Sequence, residues 1–81
     1  MSDTQPLPTN AALLVRLRFI DFLLNHYGSI NRDALVDYFG ISSPQATRDI
    51  KAYKEVAPDN MHFDDSSKRY YRSLPYKRVF P

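Results

Sequence analysis

The stretch that decides the fold is "FGISSPQATRDIKAY", residues 39–53. Gly40 supplies the left-handed residue that ends one helix, and Ile41 plugs the corner behind it. Ser42, with Gln45 three residues later, is a capping-box pattern that starts the next helix. Pro44 falls in the first turn, where its missing amide proton has no helical partner. Two amphipathic helices joined through a tight glycine turn make a helix-turn-helix.

The helix that starts here spans about Ser43 to Val56. It turns Ala46, Ile50, Tyr53 and Ala57 inward at 4, 3, 4 spacing, and Pro58 lies just beyond its end. Upstream, Asn31 caps a helix from Arg32 to Phe39, with Leu35, Val36 and Phe39 on its buried side. "GSI" (28–30) reads as a short extended piece. Before it, Asn10 caps a long first helix that runs to about Tyr27 and stops at Gly28. Leu13, Leu17, Ile20, Leu24 and Tyr27 form its core stripe at 4, 3, 4, 3 spacing. A second apolar stripe, Val15, Phe19 and Phe22, lies roughly opposite. Two apolar faces exceed what a surface helix needs. The second is therefore either packed against the hairpin and the C-terminal "YKRVF", or it is a possible interface to another chain or domain.

Downstream, residues 60–73 read as a hairpin: Met61 and Phe63 alternate inward, "DDSSK" turns, and Tyr70 faces inward on the return strand. Helix, extended piece, helix, glycine turn, helix, hairpin is the order of a winged helix-turn-helix, mainly α with a small β-hairpin. The domain is expected over residues 10–74, after a flexible arm (1–9) and before a C-terminal linker or the start of a further domain (75–81).

In such a motif the second helix of the pair enters a DNA major groove. Ser43 and Pro44 lie at its start, where the helix N-terminus favours a backbone phosphate. Thr47, Arg48 and Lys51 project away from the core stripe, and Lys54 continues the basic face. Arg48 can fork onto a guanine edge, Thr47 can touch a thymine methyl or a phosphate, and Lys51 can meet a phosphate. Lys68 and Arg69, at the hairpin tip, are placed for flanking backbone. The alternative reading of the same pattern is a winged-helix protein–protein interaction module.

Composition agrees with a small nucleic-acid-binding domain. The chain has 81 residues, 43% of them hydrophobic, with six Tyr and five Phe: one domain with a real core. It has no Cys, so there is no disulfide frame and no thiolate metal site, which suits a reducing cytoplasm. The net charge of +2 is unevenly spread: residues 1–41 carry −1, residues 42–81 carry +3, and no acid follows Asp65. The apolar run "AALLVRLRFIDFLL" is broken by Arg16, Arg18 and Asp21, so it is neither a membrane span nor a signal peptide.

No catalytic or cofactor constellation is found, and no enzyme activity is expected. His26 and His62 are far apart and lack a ligand set, so no metal is expected. Asp64 and Asp65 are turn residues, Ser42 and Ser43 are explained by capping, and Tyr70 and Tyr71 by hairpin packing.

The segment "RLRFIDFLLNHYGSINRDALVDYFGISSPQATRDIKAYKEVAP", followed by "DSSKRYY", resembles the N-terminal winged helix-turn-helix domain of bacterial WYL-domain-containing transcriptional regulators, closest to the repressors found beside phage-defence islands. The similarity covers about residues 16–81, and "NRDALVDYFGISSPQATRDI" is its most specific part. The resemblance implies that Gln45, Thr47, Arg48 and Lys51 lie on a recognition helix and that Lys68 and Arg69 form the wing. It also implies a homodimeric repressor on an inverted repeat of double-stranded DNA. Those regulators continue into an effector-sensing domain and a dimerisation segment. The present sequence is then either an excised DNA-binding domain or a short stand-alone relative, and "LPYKRVFP" reads as a linker.

Overall fold

Three side chains start three helices. Asn10 Oδ1 accepts the Leu13 amide at 3.1 Å, Asn31 Oδ1 the Ala34 amide at 3.0 Å, and Ser42 Oγ the Gln45 amide at 3.2 Å. Each such cap contributes about 1 kcal/mol by satisfying an amide that has no helical acceptor. In the computed structural model, which describes residues 10–80, they open α1 (Ala11–Tyr27), α2 (Arg32–Phe39) and α3 (Ser43–Val56). The arm expected over residues 1–9 lies outside the described residues.

The expected capping box is only half made. Gln45 does not reach back toward Ser42; its amide donates to Asp49 instead, at 2.9 Å.

Gly28 and Gly40 end α1 and α2 in the left-handed region, at φ 79° and 66°. A Cβ built on Gly40 meets nothing within 4 Å, so the demand for glycine there comes from the backbone and not from crowding. Gly40→Val should therefore cost about 1–2 kcal/mol, lowering Tm by roughly 4–8 °C per kcal/mol. Gly40→Asn should cost less, because asparagine tolerates this region. Thermal unfolding of both variants checks this, and equal Tm values for Gly40→Val and the parent would refute it.

Beyond the helices, β1 (Ser29–Ile30), β2 (Met61–Asp64) and β3 (Arg69–Arg72) form one antiparallel sheet in the order β1-β3-β2. The hairpin thus gains a third strand from the extended piece between α1 and α2. The register pairs Ile30 with Tyr70, and Tyr70 with Phe63. Asp64 shapes the turn by accepting the Ser67 amide and hydroxyl at 2.8 and 2.7 Å, which holds its carboxyl below the usual range. Lys68 closes the turn in the left-handed region, at φ 59°.

The core is Leu17, Ile20 and Leu24 of α1, Ile30, Leu35 of α2, and Ala46, Ile50, Tyr53 and Val56 of α3, closed by Ala57 and Met61. Leu13 and Tyr70, expected inward, are only partly buried, and two expected members are exposed. Tyr27, the last residue of α1, is 72% exposed. Phe63 is 46% exposed: it pairs with Tyr70 across the hairpin and packs on the Tyr70 ring at 4.8 Å. Val36 and Phe39, expected on the buried side of α2, are partly buried at its edge.

Two carboxylates share the interior with these apolar residues. Asp21 is 2% exposed and accepts from the hydroxyls of Tyr53 and Tyr76 at 2.6 and 2.7 Å, and from the amides of Val79 and Phe80. Asp49 is 0% exposed and is paired with Arg16. Both are fully partnered, as burial of a charge requires. Through Asp21, residues 76–80 dock on α1, with Tyr76, Val79 and Phe80 packed against the core. Asn60 adds to this by donating to Lys77 O at 2.7 Å and accepting the Lys77 amide at 3.1 Å. No helix among the described residues is long and apolar enough to cross a membrane.

Candidate nucleic-acid interface

The buried stripe of α3 fixes which side chains face outward. With Ala46, Asp49, Ile50, Tyr53 and Val56 inward, Ser43, Pro44, Thr47, Arg48, Lys51 and Lys54 are all exposed, and Gln45 lies at the boundary. Lys54 sits in the last turn, on the side of the helix end that favours a cation. No acidic side chain interrupts the first turn, so the positive end of the helix dipole is uncompensated.

Several of these groups are held and not loose. Thr47 Oγ1 donates to Ser43 O at 3.1 Å and accepts from Arg32 Nη1 at 3.3 Å, which brings a cation from α2 to the same face. The sequence reading missed Arg32, although it occupies the first position of α2. Arg48 Nη2 donates to Gln45 Oε1 at 3.0 Å.

The two hairpin residues separate. Lys68 is exposed on the turn. Arg69 begins β3 and points back across the sheet, where its Nε and Nη2 donate to Ser29 Oγ at 3.3 and 3.0 Å. Arg72 likewise turns inward, donating to the Leu24 and Asn25 carbonyls at the end of α1.

The second apolar stripe divides. Phe19 stacks on Tyr38 at 4.4 Å and meets Phe39 edge-on at 5.2 Å, so it packs on α2, a neighbour not expected for it. Phe22 packs against the rings of His26 and Tyr27 on its own helix, and lines a shallow basin with Arg18, Asp21, Asn25, His26, Arg78 and Phe80. Val15 and Phe22 nevertheless remain 58% and 47% exposed.

A family model described as the BrxR transcriptional regulator winged helix-turn-helix domain matches residues 12–80. The chain belongs to this family. Within the BrxR winged helix-turn-helix family, it is similar to proteins named "DNA-binding transcriptional repressor CapW". The relative from Escherichia coli is 55% identical over 65 residues, covering 80% of this chain and 22% of that protein. The relative from Pseudomonas aeruginosa is 46% identical over 66 residues, covering 82% of this chain and 22% of that protein. The relative from Stenotrophomonas maltophilia is 39% identical over 64 residues, covering 79% of this chain and 21% of its own length. The chain therefore spans about a fifth of the length of these relatives. The BrxR match extends over the helix-turn-helix, the sheet and the docked segment up to Phe80.

Proposed function

We propose that this domain binds double-stranded DNA in a sequence-specific way, as the reading head of a transcriptional repressor acting in the cytoplasm. The observation that carries the proposal is the outward face of α3. Thr47, Arg48, Lys51 and Lys54 stand exposed on it, while the opposite face is anchored in the core. The printed names of the CapW relatives support the same reading.

With α3 in a major groove, Arg48 forks onto a guanine, and Thr47 meets a thymine methyl or a phosphate. Lys51 and Lys54 neutralise phosphates, and Ser43 and Pro44 bring the helix N-terminus to the backbone. Gln45 sets the edge of this face beside Arg48. Lys68 reaches a flanking phosphate from the wing, whereas Arg69 is engaged by Ser29 across the sheet. The exposed Val15 and Phe22 suit contact between two copies, so the proposal includes a homodimer on an inverted repeat.

Selection from a random DNA pool identifies the preferred duplex. Against it, Arg48→Ala should lose about 1–3 kcal/mol and narrow the lead over random DNA. Lys68→Ala should weaken both duplexes alike and lower the slope of log K against log salt by about one unit. Full affinity of Arg48→Ala for the preferred site would remove α3 as the reader. A shallow salt slope in the parent would favour a protein partner instead.

A further inference from the structure

Arg48 does not stand alone on the surface of α3. Its guanidinium donates to Gln45 Oε1 at 3.0 Å, and Gln45 Nε2 donates to Asp49 Oδ1 at 2.9 Å. Asp49 in turn is gripped by Arg16 of α1, through Nε at 2.6 Å and Nη2 at 3.2 Å. One hydrogen-bonded chain thus runs from α1, through a wholly buried carboxylate, to the exposed face of α3.

The chemistry of this chain has a direction. An ionised carboxylate only accepts hydrogen bonds, so Gln45 turns its amino group inward to Asp49 and leaves its oxygen outward. An outward oxygen accepts, and the nearest donor is Arg48. An apolar pair of similar volume in place of Arg16 and Asp49 could keep the helices together. It could not decide which end of the Gln45 amide faces out.

Resting on the reading of α3 as the DNA-reading helix, we propose that Arg16 and Asp49 are positioning residues for recognition. They fix the orientation of the Gln45 amide, which holds Arg48 ready before DNA arrives. A side chain held in its binding geometry gives up less freedom on binding than a free one, so the benefit appears as preference for the correct site. Arg16 lies on α1, outside the α3 face, and acts on DNA only through this chain.

The double variant Arg16→Met/Asp49→Leu tests the proposal, because it removes one charge of each sign and leaves phosphate attraction unchanged. Affinities are measured for the parent's preferred duplex and a random duplex, in the parent, the double variant, Arg48→Ala and the triple variant. The folded double variant should hold random DNA with the parent's affinity and salt slope. Its preference should fall about tenfold, within the range carried by one bidentate base contact. In the Arg48→Ala background the double change should make no further difference. Where the double variant does not fold by circular dichroism, Gln45→Met, at the boundary of the α3 face and outside the apolar core, should show the same loss and the same dependence on Arg48. Preference retained in the folded variant, or lost equally with and without Arg48, would overturn the proposal alone. A parent that selects no DNA would overturn the DNA reading and this proposal together.

Discussion

Replacing Asp21 with alanine should remove about 3–5 kcal/mol of folding stability, a large part of the roughly 4–12 kcal/mol available to a chain of this length. The carboxylate is 2% exposed and is the shared acceptor for Tyr53 and Tyr76 and for the Val79 and Phe80 amides. Alanine leaves the Tyr53 hydroxyl and the Val79 and Phe80 amides without their acceptor, while Tyr76 keeps only the backbone carbonyl of residue 21 at 3.0 Å. Tyr53→Phe and Tyr76→Phe each remove one donor and keep the acceptor satisfied by the rest. They should cost only about 1–2 kcal/mol. Urea unfolding of the three variants gives the comparison, and an Asp21→Ala loss no larger than that of either Tyr→Phe variant would contradict it.

The same cluster governs alkaline stability. Burial, with the Asp21 hydrogen bond second, pushes the Tyr53 phenol far above the ordinary tyrosine value, and the same two causes raise Tyr76. A pKa raised on folding gives stability that is complete below the unfolded value, near 10, and is lost as pH rises above it. Above pH 10 the unfolded chain releases the Tyr53 proton and the folded chain does not, so stability should fall by about 1.4 kcal/mol per pH unit from Tyr53 alone. Tyrosinate absorbance should therefore show these two phenols ionising together with unfolding.

The second large effect concerns the other buried carboxylate between α1 and α3. Arg16→Met strands a carboxylate that is 0% exposed, and should cost about 3–5 kcal/mol. Asp49→Leu strands the arginine, whose side chain is 17% exposed and can turn toward water, so it should cost less. The double variant should be far more stable than the sum of the two losses predicts, because neither charge is left behind. A double-mutant cycle by denaturant unfolding measures the coupling. Strictly additive losses would show that the pair is not a unit.

How much of this was legible in the sequence differs from element to element. The three caps, both left-handed glycines and the core stripes of α1 and α3 follow from short-range rules, and local hydrogen bonds enforce them in the structure. The hairpin was legible, but its partner β1 was not: a two-residue strand has no period of its own and exists only because β3 lies beside it. The buried carboxylates carried a signal that was not used. Asp49 falls three residues after Ala46, and Asp21 four after Leu17, so both stand on core stripes. A charge at such a position demands a buried partner, which should have drawn attention to Arg16, Tyr53 and Tyr76. Arg69 shows the opposite limit. It begins β3 and does not sit on the tip, and which way a long side chain folds back depends on Ser29, forty residues earlier in sequence.

The docking of residues 76–80 bears on where this domain can be cut. Removing everything after Pro75 is not the trimming of a loose end, since it withdraws Tyr76, Val79 and Phe80 from the interior. The buried Asp21 would then keep Tyr53 as its partner but lose its other donors, and the Asn60 side chain would lose both its bonds to Lys77. A fragment that keeps these contacts therefore includes residues up to Phe80, beyond the last strand and through the stretch expected to be a linker. A fusion or split made between Arg72 and Phe80 would interrupt the contacts that tie this segment to Asp21 and Asn60.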